Sequence, residues 1–362
     1  MPSTRSLEDR LRRRTSLDLD PWVKVYRPDM NATHRLVRLV RRPGGLPTSD
    51  DFALVQAPIP LPEAGQVLVR NTHFLVFPGL RTLIGGETRD VPLPPLHPGD
   101  ALFGPAIGEV VDGALEKGRR VVHLQGWREY ATPAVAECRP LDGILPDPVA
   151  HLAQGSAAYG ALTRLAEVRE GDTVFVTGAA GAVGTMAGQI ARLLGAARVV
   201  GSTGSPDKAQ RLRQDLGYDA VVLRGAGPVG RQLAEAAPDG VDVVVDTVGG
   251  EQLTAAVDVA NRGARLALVG ALDGQLSPDR AGGSAPTVLD TYRLLTRGIT
   301  VAGYNGMDHP DVEAEWEARF GDWLRAGEIR FPYTPVHGME RAPGALPALI
   351  AGRSFGASIV EL

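Results

Sequence analysis

From Arg35 to about residue 150 the chain reads as short β-type runs, RLVRLV, FALVQ, QVLVRNTHFLVF, AIGEVV and RRVVHL. They are set apart by PGGLPTSDD, PLPEAG, PLPPLHPGD and EKGR. Runs of this length between Pro/Gly breaks predict a compact, largely antiparallel β domain. After Pro148 the pattern changes. A helical stretch, AHLAQGSAAYGALTRLA, leads into the strand TVFVTG, the helix GTMAGQIARLLG, the strand ARVVGST and the helix PDKAQRLRQDLG. DAVVL, VDVVVDTVG and RLALVG follow as strands, with the helix EQLTAAVDVANR between the last two. Continuous Val-rich strands alternating with helices predict a parallel sheet covered on both faces, a doubly wound domain of about 150 residues. A Gly/Pro-rich loop from Gln275 to Pro286 then precedes a helix, the strand ITVAGY, the amphipathic helix VEAEWEARFGDWLRAG and a tail ending in GASIVEL. Spacing leaves open which domain that tail completes.

Composition narrows the class. A length of 362 residues with 44% apolar positions suits two domains. No apolar run approaches the roughly 20 residues of a membrane span, and residues 1–30 lack a signal-peptide core, so the expected location is the cytoplasm. Within that extension Arg5, Arg10, Arg12, Arg13 and Arg14 surround Leu7 and Leu11, the pattern of a short surface helix or loose arm. The single cysteine, Cys138, excludes an intrachain disulfide framework and any zinc site built on two or more thiolates. A net charge of -4 carries no nucleic-acid footprint, so the expected partner is a small molecule.

The chemistry concentrates in FVTGAAGAVGTMAGQIARLLG, Phe175 to Gly195. In the dinucleotide fingerprint G-x-G-x-x-G, glycines let the backbone approach a pyrophosphate and let helix and strand pack closely, while free N–H groups at the helix start hold the anion. Gly181 and Gly184 occupy two of those positions and Ala179 the first, with Gly178 just before it. The motif follows a strand, opens a helix and sits in a βαβ unit, the context that confirms it. The second strand ends in VVGSTGSPDK, where Gly201, Ser202, Thr203 and Gly204 replace the acid that reads a ribose 2′-OH. NADP is therefore expected, with Lys208 and Arg224 as candidates for its 2′-phosphate. Lysine occurs only at Lys24, Lys117 and Lys208 among 38 basic residues.

These motifs, together with RRPGGLPTSDDFALVQAPIPLPEAGQVLVRN, GWREYA, GSAAYGAL, VVVDTVGGE and MERAPGALPALIAGRSFGASIVEL, resemble the zinc-independent medium-chain dehydrogenase/reductase superfamily. The branch resembled is that of the prostaglandin reductases, leukotriene B4 dehydrogenases and plant double-bond reductases. The similarity runs from about Thr33 to Leu362. It implies a Rossmann NADP-binding domain at 153–301 inserted into a GroES-like, mainly β domain formed by 31–152 and 302–362, with the active site in the cleft between them. It also implies a homodimer joined through a Rossmann edge strand. The G-H-E motif and cysteine-rich lobe of the zinc-dependent branch are absent, so no metal is expected.

Position by position, the resemblance puts Ala180, Gly181, Ala182, Val183 and Gly184 at the pyrophosphate turn and Lys208 on the 2′-phosphate. Ser202, Gly204 and Arg224 fall at the adenosine end. Thr247, Gly270, Tyr304, Asn305, Ser354, Phe355 and Gly356 fall along the rest of the cofactor. The activity implied is reduction by NADPH of a carbon-carbon double bond conjugated to a carbonyl. Hydride addition leaves an enolate that oriented donors must stabilise. Tyr304 is the first candidate donor, with Tyr159 and Gln275 behind it. Relatives read D-P-Y-M-R in the cleft segment where this chain has Phe77, Pro78, Gly79, Leu80 and Arg81. That change is expected to make the pocket more apolar and roomier at Gly79, suited to a bulky, natural-product-like enone. A quinone reductase is the enzymatic alternative, and a non-catalytic NADP-binding sensor or structural dimer the alternative of another class.

Overall fold

The computed structural model describes residues 32–362 except 87, 89, 90, 92, 142, 280 and 281, so the extension at 1–30 lies outside the described residues. Strand β1 (Thr33–Leu39) pairs antiparallel with β2 (Phe52–Pro58). The long β3 (Val67–Val76) leads into helix α1 (Leu80–Gly85). Next come β4 (Ala106–Gly113), β5 (Arg120–His123), β6 (Tyr130–Ala131) and β7 (Arg139–Pro140). Alternation along β3 splits its side chains between two cores. Phe74 and Val76 pack with Leu39, Leu102 and Trp127, whereas Leu75 packs with Ile107 and Ile359 on the other face.

The second half is built on β8 (Thr173–Val176), β9 (Arg198–Thr203), β10 (Ala220–Leu223), β11 (Val241–Asp246), β12 (Ala260–Leu268) and β13 (Thr300–Gly303). All pair in parallel, in the order β10-β9-β8-β11-β12-β13. That is the 3-2-1-4-5-6 order of a dinucleotide-binding sheet. Val174, Val176, Val243 and Val245 face one core and Phe175, Val241 and Val244 the other, which is why these strands read as unbroken apolar runs. The covering helices are α2 (Gly155–Gly160), α3 (Ala182–Leu193), α4 (Pro206–Leu216), α5 (Val229–Ala236) and α6 (Gly250–Val259). With them are α7 (Leu272–Gln275), α8 (Thr291–Arg297) and α9 (Asp311–Ala326). Strand β14 (Tyr333–His337), α10 (Ala345–Ile350) and β15 (Ala357–Glu361) end the chain.

Three features differ from the pattern reading. The eight-residue α5 between β10 and β11 was not anticipated, because Gly/Pro clusters at both ends mask so short a period. The stretch AHLAQGSAAYGALTRLA is broken into a 3-10 turn at Pro148–Leu152, α2 and a π turn at Ala161–Leu165. Strand β13 joins the parallel sheet and α9 packs on α2, so the chain rejoins the β-rich half at β14, beyond residue 302. The tail left open by spacing is settled by β15, which pairs antiparallel with β3. Among the described residues no helix is long and apolar enough to cross a membrane.

Candidate active site

A cleft of about 320 Å³ separates the carboxyl ends of the parallel strands from the end of β3, the start of α1 and the last segment of the chain. Its floor is the turn after β8. A Cβ at Gly184 would stand 2.5 Å from both the Ala179 Cα and the Gly178 carbonyl oxygen, so strand and helix approach closely only over glycine. Ala179 is tolerated for the complementary reason. It is fully buried with its methyl against Gly201, where a Cβ would come within 2.7 Å. The first glycine of the fingerprint has thus been exchanged for one on the neighbouring strand.

Helix α3 opens at Gly181 without a side-chain cap, and its first N–H groups, on Ala182 and Val183, face the cleft with no acceptor from the described residues. Uncapped N–H groups at a helix start form an anion site. The chain's end docks on the same turn: Gly356 N–H donates to the Ala180 carbonyl at 3.0 Å, and Gly356 bridges Gly181. Buried Asp246 shapes the next loop. It accepts from the Thr177 hydroxyl at 2.6 Å and from the Gly249 N–H at 2.9 Å, and burial raises its pKa against the pull of those bonds. Thr247 N–H donates to Thr177 Oγ1 at 2.8 Å, and the Thr247 hydroxyl donates to the Thr177 carbonyl at 2.9 Å, fixing that residue at the cleft.

Cations gather at the end of β9. Lys208 Nζ donates to the carbonyls of Gly352 at 2.6 Å and Ser354 at 2.5 Å, tying α4 to the chain's end. Burial and then neighbouring Arg211 lower its pKa. Arg211 lies 3.8 Å above the Phe355 ring. The Arg224 guanidinium reaches over Gly204, where a Cβ would sit 3.2 Å from it. Arg224 is exposed and bonded to no other side chain among the described residues.

The cleft brings together most positions expected of it: Ala180 to Gly184, Ser202, Lys208, Arg224, Thr247, Gly270, Ser354 and Gly356, with Phe77, Gly79 and Gln275 on the facing walls. Ser202 is fully buried where it meets the cleft, its hydroxyl donating to Gln252 and accepting from Gly178 N–H at 3.1 Å, so it braces the turn. The extra room expected at Gly79 is also filled. The Phe77 ring lies between Gly79 and Gly104, within 3.0 and 3.1 Å of where their Cβ atoms would stand.

Arg81, Tyr159, Tyr304, Asn305 and Phe355 lie off the cleft wall, with Gly204 beneath Arg224. Arg81 is buried within α1. Asn305 caps a 3-10 turn, accepting from Met307 N–H. Tyr304 stacks on His309 at 5.4 Å, and its hydroxyl rests where a Cβ of Gly160 would be. Tyr159 packs between Trp316 and Trp323 and donates to Glu315, and burial and that bond push its pKa up to about 12. Tyr159 thus packs at the α2–α9 interface, while Tyr304 packs on Gly160 of α2 and on His309. Tyr304→Phe and Tyr159→Phe are each expected to keep kcat within about threefold. Tyr159→Phe should also cost about 1 kcal/mol of stability in thermal melts for the lost hydrogen bond. A drop in kcat of a hundredfold in either would return it to the chemistry. Sequence reasoning missed Gln154, Ser358, Leu349 and Ile350, which also line the cleft; nothing in their local pattern marks them apart from core or surface.

The sheet order and the open helix start define a dinucleotide-binding protein. A family model described as zinc-binding dehydrogenase matches residues 182–323, and one described as the N-terminal domain of oxidoreductase matches residues 35–141. Over 342 residues the chain is 34% identical to the Bacillus subtilis protein named "Putative NADP-dependent oxidoreductase YfmJ", covering 92% of this chain and 99% of that one. It is 28% identical over 334 residues to the NADPH-dependent curcumin reductase of Escherichia coli, covering 90% and 95%. The crystal structure of CurA from Vibrio vulnificus in complex with NADPH superposes with a TM-score of 0.81 at 30% identity, covering 90% of this chain and 98% of that one. The chain belongs to the zinc-independent medium-chain dehydrogenase/reductase superfamily, in the branch of the curcumin and prostaglandin reductases. Among the described residues no three His, Cys, Asp or Glu side chains gather as a metal site.

Proposed function

We propose that the protein is an NADPH-dependent reductase of carbon-carbon double bonds conjugated to a carbonyl, acting on a bulky, natural-product-like substrate. The observation that carries the cofactor is the pairing of an uncapped α3 start with an acid-free strand end flanked by Lys208 and Arg224. Ala182 and Val183 N–H groups hold the pyrophosphate, and the two cations hold the 2′-phosphate, where an acid would repel it. When bound, the nicotinamide supplies a hydride. The chain's part is to orient the substrate and exclude water. Phe77, Leu272, Leu276, Leu349 and Ile350 give the cleft an apolar wall. Gln275, whose carboxamide has no bond to the described residues, is a donor toward a carbonyl oxygen.

The curcumin reductase likeness favours an extended conjugated ketone over a short enal. NADPH oxidation followed with bulky enones, short enals and quinones tests the reading. Saturated ketone as product supports it, and hydroquinone alone replaces it with a quinone reductase. The second part of the proposal is a homodimer, formed through the open edge of β13 beside exposed Tyr292 and Leu295 on α8. Sedimentation of the full chain as a monomer would remove that part.

A further inference from the structure

With Tyr159 and Tyr304 off the cleft wall, the oxygen that becomes negative has room for a second donor beside Gln275. Gln154 has an unusual position for that purpose. It is the residue at which α2 begins, yet its side chain makes no cap to the helix. Glutamine is also a poor choice for capping, where Ser, Thr, Asp and Asn are preferred. Its only hydrogen bond to the described residues runs from Nε2 to the Leu152 carbonyl at 3.4 Å. That leaves one N–H unused on a half-buried side chain that lines the cleft beside Leu75 and Phe77.

The backbone that carries it is held on both sides. Leu152 is buried in the cluster with Leu75, Ile107 and Ile359, against β3. Gly155 lies so close to Trp316 of α9 that a Cβ there would meet the indole at 2.1 Å. Gln154 is therefore a polar group on a rigid mount, without a structural bond of its own strong enough to explain it. A donor fixed in place before reaction costs no reorganisation when charge develops, which is the condition for electrostatic stabilisation.

We propose that the Gln154 carboxamide donates a hydrogen bond to the substrate's carbonyl oxygen as that oxygen takes up negative charge. The proposal rests on the reductase reading above. The hydride that bound NADPH would supply leaves its C–H bond there, oxidising the cofactor to NADP⁺, forms a C–H bond at the substrate's β-carbon and displaces the C=C electron pair to make a new double bond between the α-carbon and the carbonyl carbon. The carbonyl π pair moves onto oxygen, giving an enolate, and the α-carbon then takes a proton from solvent. Gln154 acts on the oxygen throughout and neither gains nor loses a proton. Gln275, at the end of α7, lines the same cleft as a second donor.

The test uses the full chain with Gln154→Leu and with Gln154→Glu, which keeps the side chain's size but offers an acceptor. Both are expected to lower kcat on a bulky enone by about a hundredfold, the scale of a lost oxyanion donor. NADPH affinity, read by fluorescence, and the melting temperature should stay at wild-type values. p-Nitrophenolate in the presence of NADP⁺ gives a reading independent of turnover. Its affinity, read from the absorbance of the ionised form, should fall about tenfold in both variants. Variants with kcat within threefold of wild type and unchanged phenolate affinity overturn the proposal. A wild-type protein that reduces no enone, while its variants still lose phenolate affinity, overturns the reductase reading and leaves the donor in place.

Discussion

Arg224→Glu is expected to weaken NADPH binding by about a hundredfold while leaving NADH binding nearly unchanged. The guanidinium lies over Gly204 at the end of β9, exposed and bonded to no other side chain of the described residues, so its charge is available to a 2′-phosphate. A hydrogen bond to a charged group contributes about 1.5–3 kcal/mol, less where solvent screens it, and charge reversal adds repulsion to its loss. Lys208→Ala is expected to behave differently. Lys208 Nζ already holds the Gly352 and Ser354 carbonyls, and that segment continues into Gly356, which docks on the phosphate turn. Its loss should therefore weaken both cofactors, NADPH the more strongly, and loosen the chain's end. Titrations of both variants with NADPH and NADH measure the difference. An Arg224→Glu variant that keeps wild-type NADPH affinity would place the 2′-phosphate elsewhere.

The second large effect is expected at the turn itself. Gly184→Val puts a branched side chain where even a Cβ would be 2.5 Å from backbone atoms of Gly178 and Ala179. Neither neighbour is the end of a flexible side chain, so the turn or the helix must move. Overpacking of this kind costs about 1–3 kcal/mol or more, which corresponds to a fall in Tm of roughly 5 °C. Displacement of the Ala182 and Val183 N–H groups should abolish measurable NADPH binding at micromolar concentrations. Gly181→Ala is the control. Its Cβ would meet only the Gly178 carbonyl, at 3.3 Å, so the protein should melt as wild type does and yet bind cofactor more weakly, because the methyl enters the cleft. Equal loss of stability in the two variants would contradict this division between packing and binding.

The parallel sheet and the phosphate turn were legible because their signals are local. Val-rich strands buried on both faces and glycines at close approaches leave their mark within a few residues. The substrate walls were less legible. Whether Tyr159 faces the cleft is decided by α9, more than a hundred residues further on, whose Trp316, Trp323 and Glu315 draw it off the cleft wall, while Tyr304 turns to Gly160 and His309. The room at Gly79 depended on which way the Phe77 ring turned, and Gly104, from another segment, gave it a place. Ser202 was recognised as a strand-end hydroxyl, but its engagement with Gln252 on α6 comes from the sheet's order rather than from its own neighbourhood. In each case the residue type was visible in the chain and its direction was set by a distant partner.

Hydride delivery to the β-carbon is what separates an enone reductase from its rivals. NADPH carrying deuterium at the transferred position of C4, incubated with the protein and a bulky conjugated enone, gives a product whose label is located by NMR. The expected result is one deuterium on the β-carbon of a saturated ketone, with the α-hydrogen drawn from solvent. Deuterium on the carbonyl carbon of an allylic alcohol, or no labelled product while a quinone is reduced, would contradict it.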